Sequence, residues 1–188
     1  MATRSGAAVD LARAFPPALT ADAGVVQSLW PPSFRQPDEF IVQLSTGPVA
    51  IPGRVYGTAL DPLALSPTQR LIFDCISTRH IDGYVRQAHV ERLLGRPEEW
   101  VCPFVWTLLG EYVIEIVQLV ADRADQLDHA LYAQFLARNP LFRELTYHRA
   151  VSYWNEYRRR RLPSFTMYPA FALFERFGLP SPLRRKSR

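Results

Sequence analysis

The longest apolar run in the chain is Trp100-Val-Cys-Pro-Phe-Val-Trp-Thr-Leu-Leu-Gly-Glu-Tyr-Val-Ile-Glu-Ile-Val-Gln-Leu-Val120. Its polar residues, together with Asp122 just after its end, are spaced so that they form one narrow stripe on an α-helix. Every other face of that helix is apolar. That stripe consists of Thr107, Glu111, Glu115, Gln118 and Asp122. A helix that is apolar on most of its circumference has to be wrapped by other elements. The run therefore predicts a buried central helix over roughly 98–121, kinked or divided at Pro103.

Working outward from this run, the remaining sequence predicts a mainly α-helical, single-domain bundle around the central helix. The length of 188 residues suits one domain, and a composition of 48% hydrophobic and 21% charged residues is typical of globular chains. Turn residues between short β-prone segments from Phe40 to Tyr56 predict a small N-terminal β-hairpin. The helices are predicted at roughly 67–79, 83–94, 98–121, 127–138, 140–161 and 169–177. The predicted organisation is an irregular arm over 1–36, the helical domain with its leading hairpin over 37–178, and a basic tail over 179–188.

The clearest helix start lies before the central run. In Ser66-Pro67-Thr68-Gln69, the serine can cap the helix, the proline suits its first position, and the glutamine can return a hydrogen bond to the cap. Asp82 is predicted to cap the next helix, and Gly95 to end it. Asn139-Pro140 is a further predicted start, for the longest late helix.

The sequence favours a cytoplasmic protein without a membrane segment. The N-terminus lacks the continuous apolar region of a signal peptide. Glu111 and Glu115 would cost about 2–3 kcal/mol each at the centre of a bilayer. Cys75 and Cys102 both lie in apolar context, with no cluster at metal-ligand spacing, which predicts buried free thiols in a reducing compartment.

The positive charge of the chain is concentrated at its C-terminal end. The net charge is +4, and residues 158–188 alone carry eight arginines, one lysine and one glutamate. Arg158, Arg159, Arg160 and Arg161 follow Trp154 and Tyr157 directly. Basic residues at the end of a helix complement its dipole, which accounts for part of this run without a ligand. Arginines beside aromatic rings also suit acidic protein surfaces, phosphate backbones and stacked bases, so these six residues are the predicted binding site for protein or nucleic acid.

A second candidate site combines carboxylates with a histidine. Glu111 and Glu115 on the central helix, and His148 and Arg149 on the late helix, are predicted to line a polar groove. Facing carboxylates and imidazoles could bind a metal or transfer protons, but the spacing differs from the Glu-x-x-His pattern of di-metal bundles. The alternative is that the glutamates pair with arginines such as Arg149 or face water. The sequence predicts no metal and no cofactor.

The sequence carries no local motif that names a reaction. It lacks a glycine-rich phosphate loop, a G-x-S-x-G elbow and an H-E-x-x-H pair. The favoured function is a non-enzymatic helical binding or adaptor module, or a subunit of a larger assembly; a protein is the expected partner, and oligomerisation is left open. The alternative is a nucleic-acid-binding protein that uses the C-terminal arginine and aromatic cluster. A metal-dependent enzyme is the lowest alternative.

Overall fold

The computed structural model describes residues 10–30, 38–57 and 64–179. Within these ranges the protein has eight α-helices and one two-stranded antiparallel sheet, which confirms the mainly helical class with a small N-terminal hairpin. The chain divides into two compact units, Met1–Leu93 and Leu94–Arg188. The proposed division into arm, domain and tail stays a prediction, and residues 180–188 of the basic tail lie outside the described ranges.

The first unit contains three helices and the hairpin. Two short 3-10 turns, Leu11–Ala14 and Pro17–Leu19, precede the first helix. The regular elements are α1 (Thr20–Gln27), β1 (Glu39–Leu44), β2 (Gly47–Pro52), α2 (Pro67–Ser77) and α3 (Gly83–Leu93).

The hairpin forms where the turn residues predicted it. β1 pairs antiparallel with β2, with Ile41 opposite Ala50 and Leu44 opposite Gly47. Gly47 has a φ of +123°, a backbone conformation that favours glycine. Inward and outward residues alternate along β1, because successive side chains of a strand point to opposite faces.

The predicted cap of α2 is confirmed in full. The Ser66 hydroxyl accepts a hydrogen bond from the Gln69 amide at 3.2 Å, and the Gln69 side chain accepts one from the Ser66 amide at 3.1 Å. Pro67 occupies the first helical position. The carboxylate of Asp82 accepts from the Tyr84 amide at 2.8 Å at the start of α3. Gly95 has a φ of +79° just beyond the end of that helix, as a terminating glycine requires.

The prediction of a mostly irregular N-terminal arm was wrong for α1. This helix buries Ala23 and Val26 and has no side-chain cap, so its local signals are weak. Contacts distant in sequence hold it in place: the Gln69 side chain donates to the Asp22 carboxylate at 2.9 Å, and the Gln27 side chain accepts from the Leu11 amide at 2.7 Å. Tertiary packing therefore decides this helix, because local propensity is a weak determinant.

Three buried polar side chains connect the elements of the first unit. Arg79 donates to the carbonyl oxygens of Pro52 and Gly53, at the end of β2. Arg86 is fully buried and donates to the carbonyl oxygens of His80 and Ile81. Arginine supplies five donors in a rigid fork, which suits the carbonyl groups at the end of β2 and in the loop between α2 and α3.

The third of these side chains is Asp74 on α2, which is 3% exposed. Its carboxylate is 2.6 Å from the His89 Nδ1 atom and 3.2 Å from an Arg92 nitrogen, both on α3. A buried carboxylate needs such partners, since an uncompensated charge in the interior is costly. The cluster therefore joins α2 to α3. His89 has a structural role in it, as a partner of the buried Asp74 carboxylate.

The second unit contains the apolar run and the late helices. Its helices are α4 (Cys102–Trp106), α5 (Ile114–Asp122), α6 (His129–Arg138), α7 (Pro140–Tyr153) and α8 (Phe171–Arg176). A five-residue π-helix, Trp154–Arg158, follows α7 directly. No helix in the described ranges is both long enough and apolar enough to span a bilayer.

The helix predicted over 98–121, kinked or divided at Pro103, is divided at a different place. The run is buried as predicted, but α4 passes into a 3-10 turn, Thr107–Gly110, and the chain is then extended at Glu111. The predicted polar stripe forms only in part, because Glu115, Gln118 and Asp122 are exposed on α5 whereas Thr107 and Glu111 precede that helix and are buried. Glycine favours the break, since it is a poor helix former, and Pro103 lies undisturbed in the first turn of α4.

Gly110 is also the point where the broken run packs against α7. A Cβ atom at this position would lie 2.9 Å from the Thr146 carbonyl oxygen and 3.3 Å from the Arg149 Cβ atom. These distances are shorter than ordinary van der Waals contact, and one of the neighbours is backbone. The close approach of α7 to position 110 therefore requires a residue without a side chain.

We expect the Gly110→Ala variant to be destabilised by about 1–3 kcal/mol, the usual cost of adding a methyl group to a packed site. Urea denaturation followed by circular dichroism measures this change. Gly24 in α1 is the matched control, because a Cβ atom there meets nothing within 4 Å. Gly24→Ala should leave stability unchanged or raise it by up to about 1 kcal/mol. Equal effects of the two substitutions would contradict the packing argument.

Both cysteines are buried and neither forms a disulfide bond, as the sequence predicted. Burial raises the pKa of the Cys102 thiol well above its ordinary value, and the nearby Glu99 carboxylate raises it further. A thiol held in its neutral form is a poor nucleophile. Cys102 is therefore a packing residue of α4.

Candidate functional site

The C-terminal end of α7 differs from the single helix predicted over 140–161. The α-helix ends at Tyr153, and the Arg159 amide donates to the Trp154 carbonyl oxygen at 2.8 Å, which is the i to i+5 bond of a π-helix. The Leu162 carbonyl oxygen accepts from the Trp154 indole nitrogen at 2.8 Å, so the chain folds back over this ring. Single-turn π-helices occur often at functional sites.

Four consecutive arginines follow this turn. Arg158 is half-buried, and Arg159, Arg160 and Arg161 are exposed. Arg159 donates to the Asn155 side chain at 3.0 Å, and its guanidinium carbon lies 5.9 Å from the centre of the Trp154 ring. None of the four forms an ion pair with a carboxylate in the described part of the chain. No carboxylate of the described residues therefore neutralises their positive charge through an ion pair.

Three tyrosines form a chain of ring contacts beside the arginines. Tyr157 is 62% exposed and stacks on Tyr153, with ring centres 6.2 Å apart and planes inclined by 26°. Tyr112 is 49% exposed and contacts Tyr153 edge-on, also at 6.2 Å. These three rings together with Arg158–Arg161 are called the Tyr–Arg surface below. Tyr112 was not among the predicted site residues, because it joins the surface only through the break after Gly110.

Trp154 belongs beneath this surface and not on it. It is 3% exposed, and its ring packs edge-on against Phe165 at 5.5 Å. The sequence prediction placed Trp154 among the binding residues. In the structure it is a buried ring, here called the floor of the surface, on which the turn packs and Arg159 stacks. A rigid floor holds the side chains above it in defined positions.

Tyr168 completes the floor. It stacks on Phe165 with ring centres 5.4 Å apart, and burial raises its pKa to about 12. The nearby Arg158 guanidinium opposes this shift, and the Glu111 carboxylate adds to it. The Arg158 Nε atom is buried without a hydrogen-bond partner, so the inner part of this side chain is held by packing.

The predicted polar groove is not assembled as proposed. Glu111 is 1% exposed and precedes α5, whereas Glu115 lies in the first turn of α5 and is exposed, so the two do not share a helical stripe. His148 is exposed on α7, and Arg149 is half-buried beside Gly110. Within the described residues, no group of three or more histidine, cysteine or acidic side chains is arranged to hold a metal ion.

A pocket of about 370 Å³ lies in the first unit between the first 3-10 turn and the hairpin. Its floor includes the buried Phe15 and Val49, and Ile41 forms an exposed wall. At its edge, Arg13 pairs with Glu39 at 3.0 Å. It contains none of the predicted site residues, so the Tyr–Arg surface remains the main candidate.

Comparison with protein-family models, with curated protein sequences and with solved structures finds no match for this chain. The functional argument therefore depends on the geometry of the Tyr–Arg surface.

Proposed function

We propose that this protein is a non-enzymatic binding module, acting as an adaptor or as a subunit of a larger assembly, and that the Tyr–Arg surface is its partner-binding site. The observation that carries the proposal is the juxtaposition of exposed tyrosine rings with four arginines that form no ion pair with a carboxylate of the described ranges. Tyrosine and arginine dominate the energetic centres of binding interfaces.

The arrangement of the surface supports binding in a second way. Apart from Tyr112, which precedes α5, its side chains emerge from α7 and from the turn that packs on Trp154, so their backbone is held by hydrogen bonds. A partner then has to immobilise fewer rotatable groups, which lowers the entropic cost of association. The complementary partner carries negative charge, because unpaired arginines attract anions and repel cations.

The proposal is tested with two labelled anionic probes, a polyglutamate peptide and a thymidine oligonucleotide, each about 20 units long, in fluorescence anisotropy titrations. The Arg160→Ala/Arg161→Ala variant removes two exposed charges from the surface. The Arg96→Ala/Arg176→Ala variant removes two exposed arginines elsewhere in the same unit and serves as the matched control. Both variants change the net charge equally.

We expect the unaltered protein to bind at least one probe at low salt. The Arg160→Ala/Arg161→Ala variant should bind it about tenfold more weakly or worse, and the control should change the dissociation constant by less than about twofold. Failure of both probes to bind would contradict the proposal. An equal loss in the two variants would also contradict it, because the effect would then depend on net charge and not on this surface.

A further inference from the structure

We infer that the partner of the Tyr–Arg surface is a single-stranded nucleic acid, with phosphates held by the arginines and a base stacked on Tyr157. This inference rests on the proposed function and names the class of partner for the same surface. Nucleic-acid single strands are bound where cationic side chains follow the backbone and aromatic rings offer flat faces to the bases.

The exposed face of Tyr157 supplies the stacking element. Within the described residues its one ring contact is with Tyr153, on which it stacks, and the side chain is 62% exposed. The opposite face of the ring is therefore open to solvent. Because Tyr153 in turn contacts Tyr112, the ring is supported from behind and keeps its orientation. A supported ring with one open face suits an unpaired base, since every base has a π-face.

The charges next to this ring supply the phosphate-binding element. Arg160 and Arg161 are exposed and make no side-chain hydrogen bond or ion pair in the described part of the chain, so their donors are available for phosphate oxygens, whereas the Nε atom of Arg158 is buried. They fall within five consecutive residues that begin at Tyr157. Glu156 is the one carboxylate between Ser152 and Arg161, and the buried Glu111 carboxylate lies near Tyr168, so the four arginines outnumber the carboxylates and the local charge is positive. Arginine forks match phosphate geometry, and binding through them releases counterions.

An acidic protein segment is a poorer complement to this end of α7. Protein interfaces have an apolar centre surrounded by a polar rim. The other exposed side chains around the last turn of α7 and in the π-helix are polar, namely Ser152, Asn155 and Glu156. The exposed leucines of α7, Leu141 and Leu145, precede Tyr157 by at least about 18 Å along the helix axis. The Tyr–Arg surface thus offers tyrosine rings and charge without a neighbouring aliphatic patch on α7, an arrangement that suits bases and phosphates.

The experiment measures anisotropy of labelled single-stranded oligothymidine and oligouridine, a DNA duplex of the same length, and polyglutamate across a salt series. Three tyrosine variants are compared with the unaltered protein: Tyr157→Ala, Tyr157→Phe, and the control Tyr84→Ala. Tyr84 on α3 is 86% exposed and lies outside the Tyr–Arg surface.

We expect single strands to bind with a steep salt dependence. Tyr157→Ala should weaken that binding by about 5-fold to 150-fold, the loss of one base–aromatic stack. Tyr157→Phe should restore it, and Tyr84→Ala should leave it unchanged. Duplex binding should be insensitive to Tyr157→Ala, because its bases are already stacked. Removal of Arg160 and Arg161 together should reduce the slope of log affinity against log salt by about two.

The outcomes separate the two proposals. If polyglutamate binds and the single strands do not, the partner class inferred here is wrong and the binding function stands. If the single strands bind equally well to the protein and to Tyr157→Ala, the stacking arrangement is wrong. If no probe binds, both the inference and the proposed function are overturned.

Discussion

The Phe165→Ala variant is expected to lose about 3–5 kcal/mol of unfolding free energy, the usual cost of truncating a buried phenylalanine. Phe165 is fully buried in the second unit, and its ring contacts five other aromatic rings. These are Tyr147, Trp154, Tyr168, Phe171 and Phe174. Edge-on and offset contacts of this kind add to the burial of apolar area, so the alanine leaves a cavity that its rigid neighbours cannot fill.

The same variant should also weaken any ligand binding at the Tyr–Arg surface, because Phe165 supports Trp154 from below. Urea denaturation followed by tryptophan fluorescence measures the stability. Met167→Ala is the control, since Met167 is two residues away and 56% exposed, and its loss should be within about 0.5 kcal/mol. A Phe165→Ala loss below about 1 kcal/mol would show that the aromatic cluster does not hold this unit together.

The second large effect concerns Arg86 in the first unit. Its guanidinium donates to the carbonyl oxygens of His80 and Ile81, each at 2.8 Å, and the side chain has no exposed surface. Arg86→Ala removes two charge-assisted hydrogen bonds and leaves both a cavity and unsatisfied carbonyl groups. The expected loss is about 3–6 kcal/mol, at about 1.5–3 kcal/mol for each of the two hydrogen bonds from the charged group.

Hydrogen exchange of peptides from α2 and α3 measures this effect in the unit where it arises. Arg13→Ala is the control, because Arg13 forms an ion pair with Glu39 at the surface and such pairs contribute about 0–1 kcal/mol. Arg86→Met keeps the volume without the charge. If Arg86→Met is as stable as the unaltered protein, the free energy of burying the guanidinium cancels that of its hydrogen bonds, and the hydrogen-bond argument is wrong.

Local sequence predicted the elements whose signals lie within a few residues. The capping box at Ser66, the hairpin turn at Gly47 and the proline start of α7 all depend on backbone groups close in sequence. The arginine run was likewise evident as a cluster of charge. Each of these features follows from short-range hydrogen bonding, backbone conformation or charge, so one sequence is enough to predict it.

Other predictions were wrong because the periodicity of a sequence does not show which element a helix will pack against. The pattern of the apolar run fits one long helix, yet the chain breaks after Gly110, where α7 approaches too closely for a side chain. Trp154 resembles an exposed partner of the arginines in sequence, but the fold of the chain over its indole ring buries it. Neither outcome has a signal within the run itself.

The sequence by itself therefore determined the helical class, the hairpin, the strongest helix starts and the position of the arginine cluster. The tertiary structure decided that Glu111 is buried, that the ring of Tyr112 contacts Tyr153, which stacks with Tyr157, and that Trp154 lies buried beneath the Tyr–Arg surface. The physical reason is the range of the interactions involved. Caps and turns are satisfied by neighbours along the chain, whereas burial and ring contacts depend on residues brought together from distant positions.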